Sequence, residues 1–354
     1  MGALKLNETP VRTSRNFNIN NIKLENVNIP EDIGSFKNIE ITGETSKLKI
    51  ETFKGDCQLA YGLGKFLTEQ VREKANKKLK LTIDSKINKE LQMNFKFDKQ
   101  NSILVDNIKI VANENSKATI IIKYESNKDI NGFHNGIIKV SAKKNSEINL
   151  IFVNLMSETS DNFISIENKL ESNAKVKYTI IDFGGKNSIT NYYSNLLGDS
   201  SENTINTIYL GKEKQLFDLN YIGELRGTRS DIDIEVQGAL KDYSKKHFKG
   251  IIDFKKGCKK AKGNENEACM LLSDTAKSLA LPMLLCSEEE VEGNHSSSAG
   301  KIGEKELFYI MSRGFELKEA MKLMVRARFN KILNNIKNEE LKNQILEEID
   351  NRLD

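Results

Sequence analysis

Asn115-Ser116-Lys117-Ala118-Thr119-Ile120 and Asn145-Ser146-Glu147-Ile148-Asn149-Leu150 are two copies of one pattern, a small polar pair followed by an alternating apolar run. The pattern returns at Ser172-Asn173-Ala174-Lys175-Val176 and at Ser201-Glu202-Asn203-Thr204-Ile205. The interval is about 27–30 residues, inside the window that marks repeat architectures. Asn and Ser turn a chain because their side chains hydrogen-bond the local backbone. Each copy therefore reads as a turn that feeds a strand.

The same texture extends outward over about 80–285. Strands are expected at Ile103-Leu104-Val105, Ile108 to Val111, Ala118 to Tyr124, Ile137 to Val140 and Ile148 to Val153. They continue at Phe163 to Ile166, Val176 to Ile181, Ile205 to Leu210, Ile232 to Val236 and Ile251 to Phe254. The runs are β-branched and aromatic, and Asn, Ser, Gly and Lys separate them, as in an all-β region. Two closures fit: a duplicated Greek-key sandwich, or a β-helix in which each coil stacks on the one before. Recurrent turn chemistry favours the β-helix, because sandwich strands need no repeated turn.

The flanks differ. Before the repeats come a polar loop around Asn18, Asn20 and Asn21, β-like pieces at Ile39-Glu40-Ile41 and Leu48-Lys49-Ile50, and a helix expected over 57–78. That helix spaces Leu59, Leu63, Phe66, Leu67 and Val71 at helical intervals, with charges on its other face. After the repeats, three helices are expected: Glu304 to Arg313, stopped by Gly314, then Leu317 to about Ile336, then Glu339 to Leu353. The resulting division is 1–80 mixed α/β, 81–300 β core and 301–354 helical.

Composition narrows the function. The 354 residues carry 54 Lys and Arg against 50 Asp and Glu, a balance too even for a nucleic-acid surface. The richest apolar run, Ile148 to Met156, contains Asn154 and is far too short to cross a bilayer. Met1-Gly2-Ala3-Leu4-Lys5-Leu6-Asn7-Glu8 carries no apolar targeting core, so the expected location is the cytoplasm. No Gly-x-Ser-x-Gly, His-Glu-x-x-His or Cys-x-x-Cys occurs, and Gly62-Leu63-Gly64-Lys65 lacks a full phosphate loop. The expected protein is not an enzyme. A polysaccharide-active β-helix is the weakest reading, because the chain has no Trp to line a sugar cleft.

Soft donors gather at 247–295, which holds His247, Cys258, Cys269, Cys286 and His295. Thiolate and imidazole suit iron–sulfur clusters, Cu(I) or Zn(II). Their spacings match no compact zinc finger, so the fold or a dimer must assemble any site. Cys286 stands between Leu281-Pro282-Met283-Leu284-Leu285 and the acidic Ser287-Glu288-Glu289-Glu290. Acidic neighbours oppose a free thiolate but attract a metal cation.

His247-Phe248-Lys249-Gly250-Ile251-Ile252 is followed by Met270-Leu271-Leu272-Ser273-Asp274-Thr275-Ala276 and Leu281-Pro282-Met283-Leu284. Next come Val291, His295, Gly300-Lys301-Ile302-Gly303, Leu307-Phe308-Tyr309-Ile310-Met311-Ser312-Arg313-Gly314 and Glu319-Ala320. Together these segments resemble the SufB/SufD family of the SUF iron–sulfur cluster assembly machinery. The clear match covers about 245–335, with looser agreement through the β region and at Asn7-Glu8-Thr9-Pro10-Val11-Arg12-Thr13.

The resemblance implies a mainly β fold: a right-handed parallel β-helix core, flanked by a small N-terminal α/β region and a C-terminal helical domain. It also implies a complex with the ATPase SufC docked on the C-terminal helices. Pairing with a SufB-like chain, or with itself as a dimer, would run through the β-helix. SufB carries a cysteine where Glu267 stands here and a glutamate where Ser296 stands, which sets this chain nearer to SufD. The alternatives are a SufB-like cluster scaffold and a purely structural subunit that binds no metal. Candidate metal or cluster residues are His295, which matches the family histidine, with Cys286 and Cys269. The ligand would be a transient iron–sulfur cluster or iron. Candidate partner contacts are Phe308, Arg328 and Phe329.

Overall fold

The computed structural model describes residues 3–12, 19–25, 27–44, 48–53, 55 and 58–354. Thr13, Asn18 and Cys57 lie outside the described residues.

The chain opens with short strands β1 (Leu4–Leu6), β2 (Ile22–Leu24), β3 (Ile39–Thr42) and β4 (Leu48–Thr52), then helix α1 (Lys65–Lys74). Repeats begin with β5 (Lys77–Ile83), β6 (Leu91–Phe97), β7 (Ile103–Ala112) and β8 (Lys117–Ser126). They run on through β9 (Phe133–Ala142), β10 (Glu147–Leu155), β11 (Asp161–Leu170) and β12 (Lys175–Asp182). Next are β13 (Asn187–Leu196), β14 (Glu202–Gly211), β15 (Leu216–Leu225) and β16 (Asp231–Leu240). The last strands are β17 (Lys245–Phe254), β18 (Ala261–Leu271), β19 (Lys277–Cys286) and β20 (Val291–Lys301). Helices α2 (Glu304–Met311), α3 (Leu317–Leu333) and α4 (Glu339–Leu353) follow.

Among the described residues, two nine-stranded sheets face each other. One is ordered β20-β18-β16-β14-β12-β10-β8-β6-β3, the other β19-β17-β15-β13-β11-β9-β7-β5-β4. From β5 onward each strand pairs in parallel with the strand two places away in sequence, so every coil stacks on the previous one. This is a parallel β-solenoid. A Greek-key sandwich needs antiparallel neighbours and is excluded.

The turns explain the sequence period. Asn115, Asn145 and Asn173 sit at φ +59°, +58° and +56°, the left-handed region that Asn tolerates better than branched residues. Ser200, Arg229 and Lys260 hold the same conformation one coil after another. Between the sheets lies one continuous apolar core. A second apolar layer seats α3 and α4 on the outer face of the β20-to-β3 sheet, and a third packs α1 and β2 on the outer face of the other.

The two ends of the solenoid differ. At its start, β3 and β4 pair antiparallel with β6 and β5, which closes the stack. At its finish, β19 and β20 are the edge strands of their sheets. Pro282 is tolerated in β19 because an edge strand has an open side on which a missing N–H removes no ladder bond.

The helix expected over 57–78 is shorter. It begins at Lys65, after Gly64 at φ +147°, and Lys77 already belongs to β5. Leu59 and Leu63 mimic helical spacing from the loop before it. The pieces expected at 103–105 and 108–111 form one strand, β7. Among the described residues, no helix is long and apolar enough to cross a membrane.

Candidate functional site

Parallel, in-register strands stack equivalent residues into rows, and three inward rows of one sheet change character at its open end. The first runs Leu91, Ile120, Leu150, Tyr178, Ile205 and Ile234, then Glu265 and His295. The second runs Met93, Ile122, Phe152, Ile180, Thr207 and Val236, then Glu267 and Ser297. The third ends on Tyr209, Gly238, Cys269 and Ala299. An apolar interior thus gives way to acid, imidazole, hydroxyl and thiol over the last two coils.

One buried cation organises this region. Lys246, on β17, donates to Glu267 Oε1 at 2.7 Å. Tyr209 donates to the same oxygen at 3.2 Å, and Ser297 donates to Oε2 at 2.8 Å. Gly238 is required there, because a Cβ on it would fall 1.8 Å from the Tyr209 ring. Glu265 has no such support. It is 3% exposed, and both of its oxygens lack a hydrogen-bond partner among the described residues. Burial, reinforced by the neighbouring Glu267 charge, pushes its carboxyl up to about 8, so it holds its proton at neutral pH.

The three soft-donor candidates are not brought to one point. Cys269 is buried, beneath Ala299, and burial pushes its thiol up despite the nearby Lys246 ammonium. His295 is exposed and sits above Glu265. Cys286 ends β19 in the opposite sheet, exposed, with its thiol donating to the Glu288 carbonyl at 2.9 Å. Cys258 lies in the core, its thiol also raised by burial. Among the described residues, no three His, Cys, Asp or Glu side chains form a group able to hold a metal ion. A cradle of several thiolates, the usual holder of a cluster, is not formed by them.

Beside the open end stands a helical surface. Phe308 is 74% exposed, and Tyr309, Met311, Phe315, Leu317 and Leu323 are exposed around it. Arg328 is exposed and lines a cavity of about 380 Å³ with Ile302, Glu306 and Met324. Phe329 faces the other way. It is fully buried, its ring 6.4 Å from that of Phe183, and it roots α3 on the solenoid. Contiguous exposed apolar side chains of this kind mark interaction sites.

Glu265 and Lys246 escaped the sequence reading. Their signal was a break in alternation: Lys262, Asn264, Glu265, Asn266 and Glu267 are polar on both faces of one strand, so some must point inward.

The family model for the SufBD core domain of SUF system FeS cluster assembly matches residues 95–328. The chain is 24% identical over 260 residues to the iron-sulfur cluster assembly protein SufD of Bacillus subtilis, covering 72% of this chain and 59% of that protein. It is 31% identical over 171 residues to an iron-sulfur cluster assembly SufBD family protein of Pyrococcus horikoshii, covering 48% of this chain and 37% of the relative. Against the SufBD family protein ycf24 of Antithamnion sp. it is 24% identical over 260 residues, covering 70% of this chain and 86% of the relative. The chain therefore spans about three fifths of the length of the Bacillus protein and about a third of that of the Pyrococcus protein.

Proposed function

This chain belongs to the SufBD core family of the SUF iron–sulfur cluster assembly system, and from that premise we propose that it is a SufD-like accessory scaffold acting in complex with a SufC-type ATPase. It has no catalytic residues of its own in this reading and works in the cytoplasm. The open end of the solenoid carries the proposal. There β20 has one side paired to β18 and, among the described residues, no strand on the other, and a free strand edge is a template for another strand. A SufB-like chain or a second copy would add to that edge.

His295 is the residue through which this chain would meet iron or a nascent cluster, and Cys286 is an accessible thiol of the described residues. Cys269, buried and with a disfavoured thiolate, would join only if the end coil moved. The donors on this chain are incomplete alone, which agrees with an accessory role in a site shared with a partner. Phe308 and Arg328 would meet the ATPase, while Phe329 holds the helix that presents them.

Co-purification tests the docking half. Replacing Phe308 and Arg328 with Ala should release the ATPase from a chain that remains folded, because both residues are exposed. Undiminished ATPase recovery would overturn it. Anaerobic reconstitution with ferrous iron and sulfide tests the site half: a thiolate-to-iron absorption band should weaken in His295→Ala and Cys286→Ala. An unchanged band in both removes them from the site.

A further inference from the structure

Resting on the reading of the helical surface as the ATPase contact, we infer that Met311 is a redox switch built into that contact: oxidation of its thioether to the sulfoxide weakens ATPase binding, and reduction restores it. Met311 is the last residue of α2, three places after Phe308, and side chains at that spacing are neighbours on one helix face. It is 41% exposed, in the surface that Phe308, Tyr309, Phe315 and Leu317 also form. The other described methionines are withdrawn from solvent. Met93, Met156, Met270 and Met283 are buried, and Met321 and Met324 are half-buried. A peroxide dissolved in water therefore meets Met311 before the rest.

The surroundings separate the fold from the contact. No residue of α2 is buried, so a polar atom on the Met311 side chain displaces nothing in the core. The Met311 carbonyl accepts from the Gly314 N–H at 3.0 Å, and Arg313 donates to the Tyr309 hydroxyl at 2.8 Å. Phe308 and Tyr309 are thus presented on a braced corner, with Met311 as the unbranched, adaptable member of the surface. Oxidation changes that member alone. The sulfur lone pair attacks one oxygen of a hydroperoxide, the O–O bond breaks, and the other oxygen takes a proton and leaves as water or alcohol. Sulfur gives up two electrons and the peroxide accepts them. The product is polar where the thioether was apolar. Covered by a partner that fits apolar side chains, the new oxygen has no donor, and burying an unpartnered polar group weakens binding by about 5–100-fold.

The full-length chain, treated with hydrogen peroxide, freed of it and titrated with untreated SufC-type ATPase of the same cells, tests this. Peptide mass spectrometry should find the added oxygen at Met311 before any other methionine. Affinity for the ATPase should fall by about 5–100-fold while the thermal melt stays the same. Methionine sulfoxide reductase should restore the affinity. A thiol reductant alone, which reverses sulfenic acid and disulfide formation at cysteines, should not. Met311→Leu, whatever its starting affinity, should bind equally before and after peroxide. Met311→Gln should bind as weakly as the oxidised parent with no treatment at all. Complete oxidation of Met311 without loss of affinity, or an equal peroxide-dependent loss in Met311→Leu, overturns the switch and leaves the docking reading standing. If the untreated chain does not bind the ATPase, the docking reading fails and the switch falls with it.

Discussion

Lys246 Nζ lies 2.7 Å from Glu267 Oε1, and neither side chain reaches solvent. The pair sits where the apolar rows of the solenoid give way to polar ones, so it sets the boundary between the core and the candidate site. Removing one member of a buried ion pair leaves the other uncompensated, at about 3–5 kcal/mol, whereas replacing both with residues of similar volume is often neutral. Lys246→Met should therefore lower stability in urea by about that amount. Lys246→Met combined with Glu267→Gln should recover most of it, and equal losses in the single and double variants would contradict the pairing.

The asparagine turns carry a smaller energy with a clear signature. Asn173 donates through Nδ2 to Asn145 Oδ1 at 3.1 Å, and Asn145 donates to Asn115 Oδ1 at 3.1 Å, so the turns are linked along the stack. Asn145→Ala removes both bonds and places a Cβ-bearing residue with no local hydrogen bond in the left-handed region, for about 1–2 kcal/mol. Asn145→Gly loses the same bonds but relieves the backbone. It should unfold at higher urea than the alanine variant.

Asp182 gives the stack a pH dependence. It is fully buried and receives Ser188 at 2.9 and 2.8 Å and Asn154 at 2.9 Å. Burial outweighs those bonds and pushes its carboxyl up to about 6. A raised carboxyl means that the folded state binds more protons than the unfolded state between about pH 4 and pH 6. Stability from this group is present below that window and is lost as pH rises through it, by roughly 3 kcal/mol at 1.36 kcal/mol per unit. Asp182→Asn should flatten that part of the stability profile, and an unchanged slope would remove Asp182 as its source.

Two phenylalanines separate core from contact surface. Phe329→Ala leaves a hole between α3 and the solenoid and should cost about 3–5 kcal/mol. Phe308→Ala, at a side chain 74% exposed, should change stability by less than about 0.5 kcal/mol while weakening ATPase binding. Thermal melts of both, set beside co-purification, check the split.

Much of this architecture was legible because the determinant is local and repeated. The left-handed turn favours Asn, and its return at Asn115, Asn145 and Asn173 announces a coil. The C-terminal helices were equally plain, since Gly314 adopts φ +96° and Leu341, Ile345, Ile349 and Leu353 repeat at one face. Strands that avoid alternation were not legible. In β13, Asn187-Ser188-Ile189-Thr190-Asn191 is almost wholly buried yet mostly polar, because Asn187 and Ser188 bond to Asp161 and Asn162 of the neighbouring coil and Asn191 bonds to Asn7. In β20, Glu292 to Gly300 contains no large apolar residue, because nothing among the described residues stacks above it. His295 could be named from family resemblance, but Glu265 became visible only when register placed the two side by side.

The most direct test of the central claim is native mass spectrometry of the assembly recovered anaerobically from the cells that make this chain. The expected species contains the chain, a SufC-type ATPase and either a SufB-like chain or a second copy, and it loses the ATPase when Phe308 and Arg328 are both alanine. A chain recovered alone, with no ATPase under conditions that preserve other complexes of the same cells, would contradict the account.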